Sequence, residues 1–333
     1  MSEALSSKPA VRAFRAFALF VLVYTIGVIV FGAWVRVTGS GAGCGQHWPT
    51  CEGEIIPRSL SAEKLIEFSH RITSGLCMPF VLTMWVWARR IFPKGHLARP
   101  WSFWTVVFMA TEALLGASLV IFRLVEDNDS VWRAVFMPLH LVNTFLLTGA
   151  VTKALWWGAY DETPARARLQ GGAGRAIVLA AWALVIISMT GAITALGDTL
   201  YPVVTGEHDI RQRLLLDGAN AAHFLVYLRI VHPILAVLAG LYVATIGAGI
   251  ASASDRSTTK RWGYITATFV LLQLMVGFMN ISLSAPGWMQ LTHLGVATAL
   301  WCSLVAFSQS TIATAPARDS SSAQAAGGTP ADA

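Results

Sequence analysis

Four of the eight histidines in this chain, His70, His140, His232 and His293, fall inside long apolar stretches. An imidazole in such surroundings is costly to strip of water unless it bonds to something. A lone one is answered by a hydrogen bond between helices. Four at matched positions are better answered by metal centres. Two imidazoles from facing helices can fill both axial positions of a haem iron, and a four-helix bundle is a natural cage for a flat cofactor. The pairs are His70 with His140, and His232 with His293. Zinc would ask for a closed tetrahedron of ligands, which the spacing between the pairs does not offer. His47, His96, His208 and His223 fall in loops or at helix starts.

Two acids accompany the histidines. Glu67 precedes His70 by one helical turn, so the two share a face, and Glu67 points to whatever His70 binds. The same spacing logic allows a Glu67–Arg71 pair on the helix surface. Glu112 stands in mid-helix, where an acid is either functional or part of a polar contact between helices. Arg71 and Arg229, each next to or near a helical histidine, can pair with haem propionates through their planar guanidinium groups. Cys44 and Cys51 fall together in one loop. If that loop faces an oxidising compartment a disulfide is expected, structural or redox-active. Cys77 and Cys302 lie in helices and read as small apolar residues.

The elements that must carry these groups are legible in the composition. Hydrophobic residues make up 55% of the chain and charged ones 13%. Soluble domains run nearer 45–50% and about 25%. The net charge of +6 does not indicate nucleic acid, because the basic residues sit in short clusters between apolar runs. Eight stretches are long and apolar enough to cross a bilayer: 14–34, 65–87, 101–122, 132–155, 176–196, 221–250, 262–283 and 288–307. The first is too long for a signal peptide and reads as a retained helix. With the N-terminus inside, the inner segments carry the larger share of the 24 Lys and Arg residues, so both termini are expected inside. Several outer arginines hug helix ends, where they can serve a ligand as well as topology. Under this topology the four histidines lie at similar depth, roughly 8–17 Å from the outer helix starts at about 1.5 Å per residue.

The polar segment 161–174 divides the helices four and four, and the halves match at a spacing of roughly 160 residues. Gly32-Ala33 meets Gly191-Ala192, His70 meets His232, Gly116 meets Gly277, Glu112 meets Gln273, and His140 meets His293. An even number of helices separates equivalent positions, so the repeat is parallel. The expected fold is an all-α integral membrane protein, with eight transmembrane helices in two tandem, parallel-repeat four-helix bundles. These span 14–156 and 175–310, with a disordered tail over 311–333. The position matching Glu67 is Arg229, so the two halves differ chemically.

Together these residues resemble the haem A synthase family over nearly the whole chain, about 14–307. The marks are Val35-Arg36-Val37-Thr38-Gly39-Ser40-Gly41, the Cys44/Cys51 loop, Glu67-Phe68-Ser69-His70-Arg71, and His140, His232 and His293. The resemblance implies oxidation of the C8 methyl of haem O to the formyl of haem A. Substrate haem O would lie at His70 and His140, a haem b cofactor at His232 and His293, Glu67 would be the catalytic acid, and Cys44 and Cys51 the family's disulfide. Some members carry a second cysteine pair in the other half; residues 196–220 have none. The resemblance further implies haem O synthase as substrate donor, cytochrome oxidase assembly factors as partners, and a cytoplasmic-membrane location in a bacterium. It is compatible with a homo-oligomer. The lipid bilayer is the expected surrounding and nucleic acid is not a partner. The rival readings are a di-haem electron-transfer cytochrome, in which Glu67 is dispensable, and a small-molecule transporter, which would show polar breaks in mid-membrane.

Overall fold

The computed structural model describes residues 8–58, 61–160, 163–164, 171–201 and 224–314. His208 and His223 lie outside them. Eight long helices occupy the described residues: α1 (Pro9–Val37), α2 (Ala62–Ile91), α3 (Ala98–Ile121), α4 (Val131–Ala159), α5 (Gly172–Leu200), α6 (Phe224–Ala253), α7 (Ser257–Ser282) and α8 (Gly287–Ile312). Local chemistry sets several ends. Pro9 opens α1, where its missing N–H costs nothing. Gly39, at φ 67°, takes the left-handed turn just past its last residue. Ser61 opens α2 by accepting a hydrogen bond from the Lys64 N–H at 3.3 Å. Ser130 opens α4 in the same way, accepting from Arg133.

Seven of the eight helices are long and apolar enough to cross a membrane by composition. The other is α2, diluted by Glu63, Lys64, Glu67, His70 and Arg71 at one end and Arg89 and Arg90 at the other. Large apolar side chains such as Leu19, Trp182, Leu271 and Phe278 stay exposed on the outside of the bundle. That is a surface made for lipid, and the chain is an all-α, multi-pass integral membrane protein. Most helices run a few residues past the apolar stretches read from the sequence. A helix continues through its polar ends once its neighbours hold it, whereas hydropathy sees only the oily middle.

Consecutive helices α1 to α4 pack in a ring that α1 and α4 close, and α5 to α8 form a second ring closed by α5 and α8. The rings meet where α4 touches α5 and α8, and α1 touches α8. At this seam the Phe145 ring stacks on Trp301, centroids 5.0 Å apart. The Trp301 indole donates to the Phe145 carbonyl at 2.6 Å, and Trp157 donates to Gln309 Oε1 at 3.1 Å. The expected tail starts later than the composition indicates. Helix α8 runs on to Ile312, and Ala313–Thr314 pairs antiparallel with Thr163–Pro164 of the linker. Ile312 and Ala313 are buried against the core, which is what keeps them ordered. Residues 315–333 lie outside the described residues.

Candidate functional site

One cavity of about 1200 Å³ runs between the two rings, and all four helical histidines line it. Single-ligand pockets are typically about 300–1,000 Å³, so this one has room for more than one flat ligand. Each imidazole stands against a glycine of the preceding helix. A Cβ on Gly32 would come within 3.1 Å of the His70 ring, and one on Gly191 within 2.9 Å of His232. For Gly277 and His293 the distance is 3.1 Å, and for Gly116 and His140 it is 3.6 Å. The same apposition thus recurs four times, at the positions where the sequence halves match. His70 and His140 are within electrostatic reach of each other, as are His232 and His293.

The partners of the rings differ. His232 Nδ1 lies 3.0 Å from the Thr190 hydroxyl, and His293 Nε2 lies 2.9 Å from the Gln273 amide. Glu112 sits 3.1 Å from His140 Nδ1, off the hydrogen-bonding direction. Its carboxylate accepts from Asn143 Nδ2 and from the Thr144 hydroxyl, each at 2.5 Å. Glu112 is therefore both a contact between α3 and α4 and a neighbour of a candidate ligand. The matched residues Glu112 and Gln273 serve matched histidines with different charge. The Nδ1 atoms of His70 and His293 are buried with no hydrogen-bond partner among the described residues.

Glu67 is buried and lines the cavity. One of its oxygens accepts from the Cys44 backbone N–H at 2.8 Å. The other accepts from Arg71 Nε at 3.1 Å and from Nη2 at 2.5 Å. Arg71 also donates to the carbonyls of His47 and Thr50 at 2.5 Å each. The Glu67–Arg71 pair that spacing allowed thus exists, buried rather than on the surface, and it clamps the first loop to α2. That loop holds the Cys44–Cys51 disulfide, which is formed. Arg229, its matched position, pairs with Asp198 at 2.7 Å and donates to the Gly197 carbonyl at 2.9 Å.

Sequence reasoning missed Asp198 and the roles of Asn143, Thr144 and Thr190, which are ordinary helix residues until a neighbouring helix is placed. It noted arginines at helix ends without seeing that Arg36 and Arg133 enter the cavity.

The comparisons agree with the motifs. The chain is 46% identical over 293 residues to a protoheme IX farnesyltransferase of Thermus thermophilus, covering 88% of this chain and 47% of that protein. It is 39% identical over 107 residues to a heme A synthase of Alkalihalophilus pseudofirmus, covering 31% and 36% of the two chains. For a heme A synthase of Halalkalibacterium halodurans the identity is 38% over 111 residues, covering 32% and 37%. The chain spans about half the length, or less, of these curated relatives. The family model for cytochrome oxidase assembly proteins matches residues 15–305. That match takes in all four histidines and the disulfide loop and reaches from α1 into α8, and the chain belongs to the cytochrome oxidase assembly protein family.

Proposed function

We propose that this chain is a haem A synthase, an oxidoreductase that converts the C8 methyl of haem O to the formyl of haem A. Its α1–α4 half holds the substrate at His70 and His140. Its α5–α8 half holds a haem b at His232 and His293. The observation that carries the reading is the repeated glycine–imidazole apposition around one cavity, with a buried carboxylate, Glu67, one helical turn from His70 in its wall. Four imidazoles facing one cavity, two of them with an Nδ1 that has no hydrogen-bond partner among the described residues, fit a planar metal-bearing ligand.

Haem b, when bound, supplies a one-electron route away from the substrate. The residues of the chain do the rest. The four histidines hold the rings, and the apolar helix walls exclude water. Glu67, held by Cys44 and Arg71, is a carboxylate placed to accept a proton or to stabilise developing positive charge at the oxidised methyl. Arg71 holds that carboxylate in place. Haem O reaches the chain from a haem O synthase, an enzyme that farnesylates protohaem. The Thermus relative bears the name of such a transferase, and this chain matches only 47% of it, so the transfer reaction is not assigned here. Cytochrome oxidase assembly factors are the downstream partners, and both termini lie on the inner side.

The test is to co-express the chain with a haem O synthase and identify the haems extracted from the purified protein. Haem O or haem A beside haem b is expected. Haem b alone, in every preparation, would establish the di-haem electron carrier instead.

A further inference from the structure

Two arginines line the cavity without an ion-paired carboxylate among the described residues. Arg36, in the last turn of α1, donates to the Ala195 carbonyl at 2.8 Å, to the Thr199 hydroxyl, and to Gln290 Oε1 at 2.9 Å. All three acceptors are neutral. Arg133, in the first turn of α4, is 4% exposed. Its Nη1 donates to the backbone carbonyls of Glu126 and Asn128. Its Nε is buried with no hydrogen-bond partner among the described residues. Neither guanidinium has a carboxylate within 4.0 Å among the described residues. Asp198 is within electrostatic reach of Arg36, but its carboxylate lies against Arg229. Glu126 and Asp127 reach Arg133 only at longer range. The two guanidinium groups also repel one another.

Charge held in an enclosed cavity without a paired counter-ion is unfavourable, so two such cations in one cavity ask for an anion. Their placement indicates which. Arg36 lies four residues past Gly32, which backs His70. Its acceptor Ala195 lies four past Gly191, which backs His232, and Gln290 lies three before His293. Arg36 therefore stands about one helical turn from the level of three histidines, toward the disulfide-loop end. Arg133 precedes His140 by seven residues, about two turns in the same direction. Both cations sit on one side of the histidine level, at the junction of α1, α4, α5 and α8. Arg71 and Arg229 are different: Glu67 and Asp198 already neutralise them.

We infer that Arg36 and Arg133 form a carboxylate-binding site at the loop end of the cavity, and that it takes the propionate carboxylates of a haem-type ligand held at the histidines. The inference rests on the haem-binding reading above and names the residues that recognise the ligand's acidic edge. Arg36, bonded to both α5 and α8, also places that edge at the seam between the rings.

The test follows release of haem from the purified full chain to excess apomyoglobin, read in the Soret band. The chain carries either protohaem or its dimethyl ester, whose propionates are capped. The unsubstituted chain is expected to release the ester about ten- to a hundredfold faster, since bonds to charged groups are worth that much. Arg36→Gln and Arg133→Gln should each release protohaem faster, with Arg36→Lys in between, and should distinguish acid from ester less than the unsubstituted chain does. Equal release of acid and ester by the unsubstituted chain overturns the site without any variant needing to fold. Variants that lose a co-purifying anionic lipid while releasing haem at the original rate also overturn it, in favour of a lipid headgroup. A chain that holds no haem overturns the functional reading itself.

Discussion

Glu67 does two jobs with two oxygens. Both face donors, the Cys44 N–H and the Arg71 guanidinium. In Glu67→Gln one of the two acceptors becomes an NH2, which must then point at a donor. The variant is expected to keep the α5–α8 haem spectrum and to lose haem A formation about 10²–10⁴-fold, the usual contribution of a general base. Chromatography of extracted haems measures it, and near-normal haem A would remove Glu67 from the chemistry. Glu112 lies 3.1 Å from His140 Nδ1, so on the proposed ligation it would act through that ring. A carboxylate beside a ligating imidazole makes it a stronger electron donor than an amide does. Glu112→Gln should therefore raise the midpoint potential of the haem in the first half, and Gln273→Glu should lower that of the second. Potentiometric titration of the haem absorbance reads both, and unchanged potentials would reduce the two residues to packing. At this scale the sequence revealed a great deal. Histidines in oily helices are rare enough to stand out, and Glu67 is one turn from one of them. Asp198 and Thr190 did not stand out, because only the neighbouring helix gives them a role. Arg36 and Arg133 were disguised, since an arginine at a helix end also serves topology.

Helices were legible as oily stretches, and their ends were not. Helix α2 is the clearest case: its apolar run was read as 65–87, and it spans Ala62–Ile91. What the stretch alone could not convey is that the histidine of each even-numbered helix leans on a bare backbone. The appositions have a gradient, 2.9 Å at Gly191, 3.1 Å at Gly32 and Gly277, and 3.6 Å at Gly116. An added methyl at 2.9 Å must displace the ring, whereas 3.6 Å is ordinary contact. Gly191→Ala is expected to strip most haem from the second half and to spare the first. Gly116→Ala should leave haem content near normal. Haem-to-protein ratios from absorbance spectra decide this, and equal losses in the two variants would show that the glycines do not position the rings.

The whole molecule stands on its seam. Hydropathy divides the chain four and four but is silent on how the rings meet, because Phe145 and Trp301 look like any lipid-facing aromatics. Trp301 is 8% exposed and stacked, whereas Trp182 is 62% exposed. Trp301→Ala should cost about 3–5 kcal/mol, as large aromatic truncations in cores do, and should lower the thermal stability of the detergent-solubilised protein. Trp182→Ala should change it little. Fluorescence-detected size exclusion after heating compares them, and equal effects would place the stability elsewhere than the seam.

The bare backbone opposite the imidazoles also has a consequence written in the genetic code. Every missense change of one base in a glycine codon yields alanine, serine, cysteine, valine, aspartate, glutamate, arginine or tryptophan. Each adds at least a Cβ. At Gly32, Gly191 and Gly277 that single atom would arrive within 3.1 Å of a histidine ring. No missense neighbour of these codons spares the ring, so random mutagenesis of the gene should return these glycines unchanged among functional survivors far more often than glycines such as Gly27 or Gly249, which face open space.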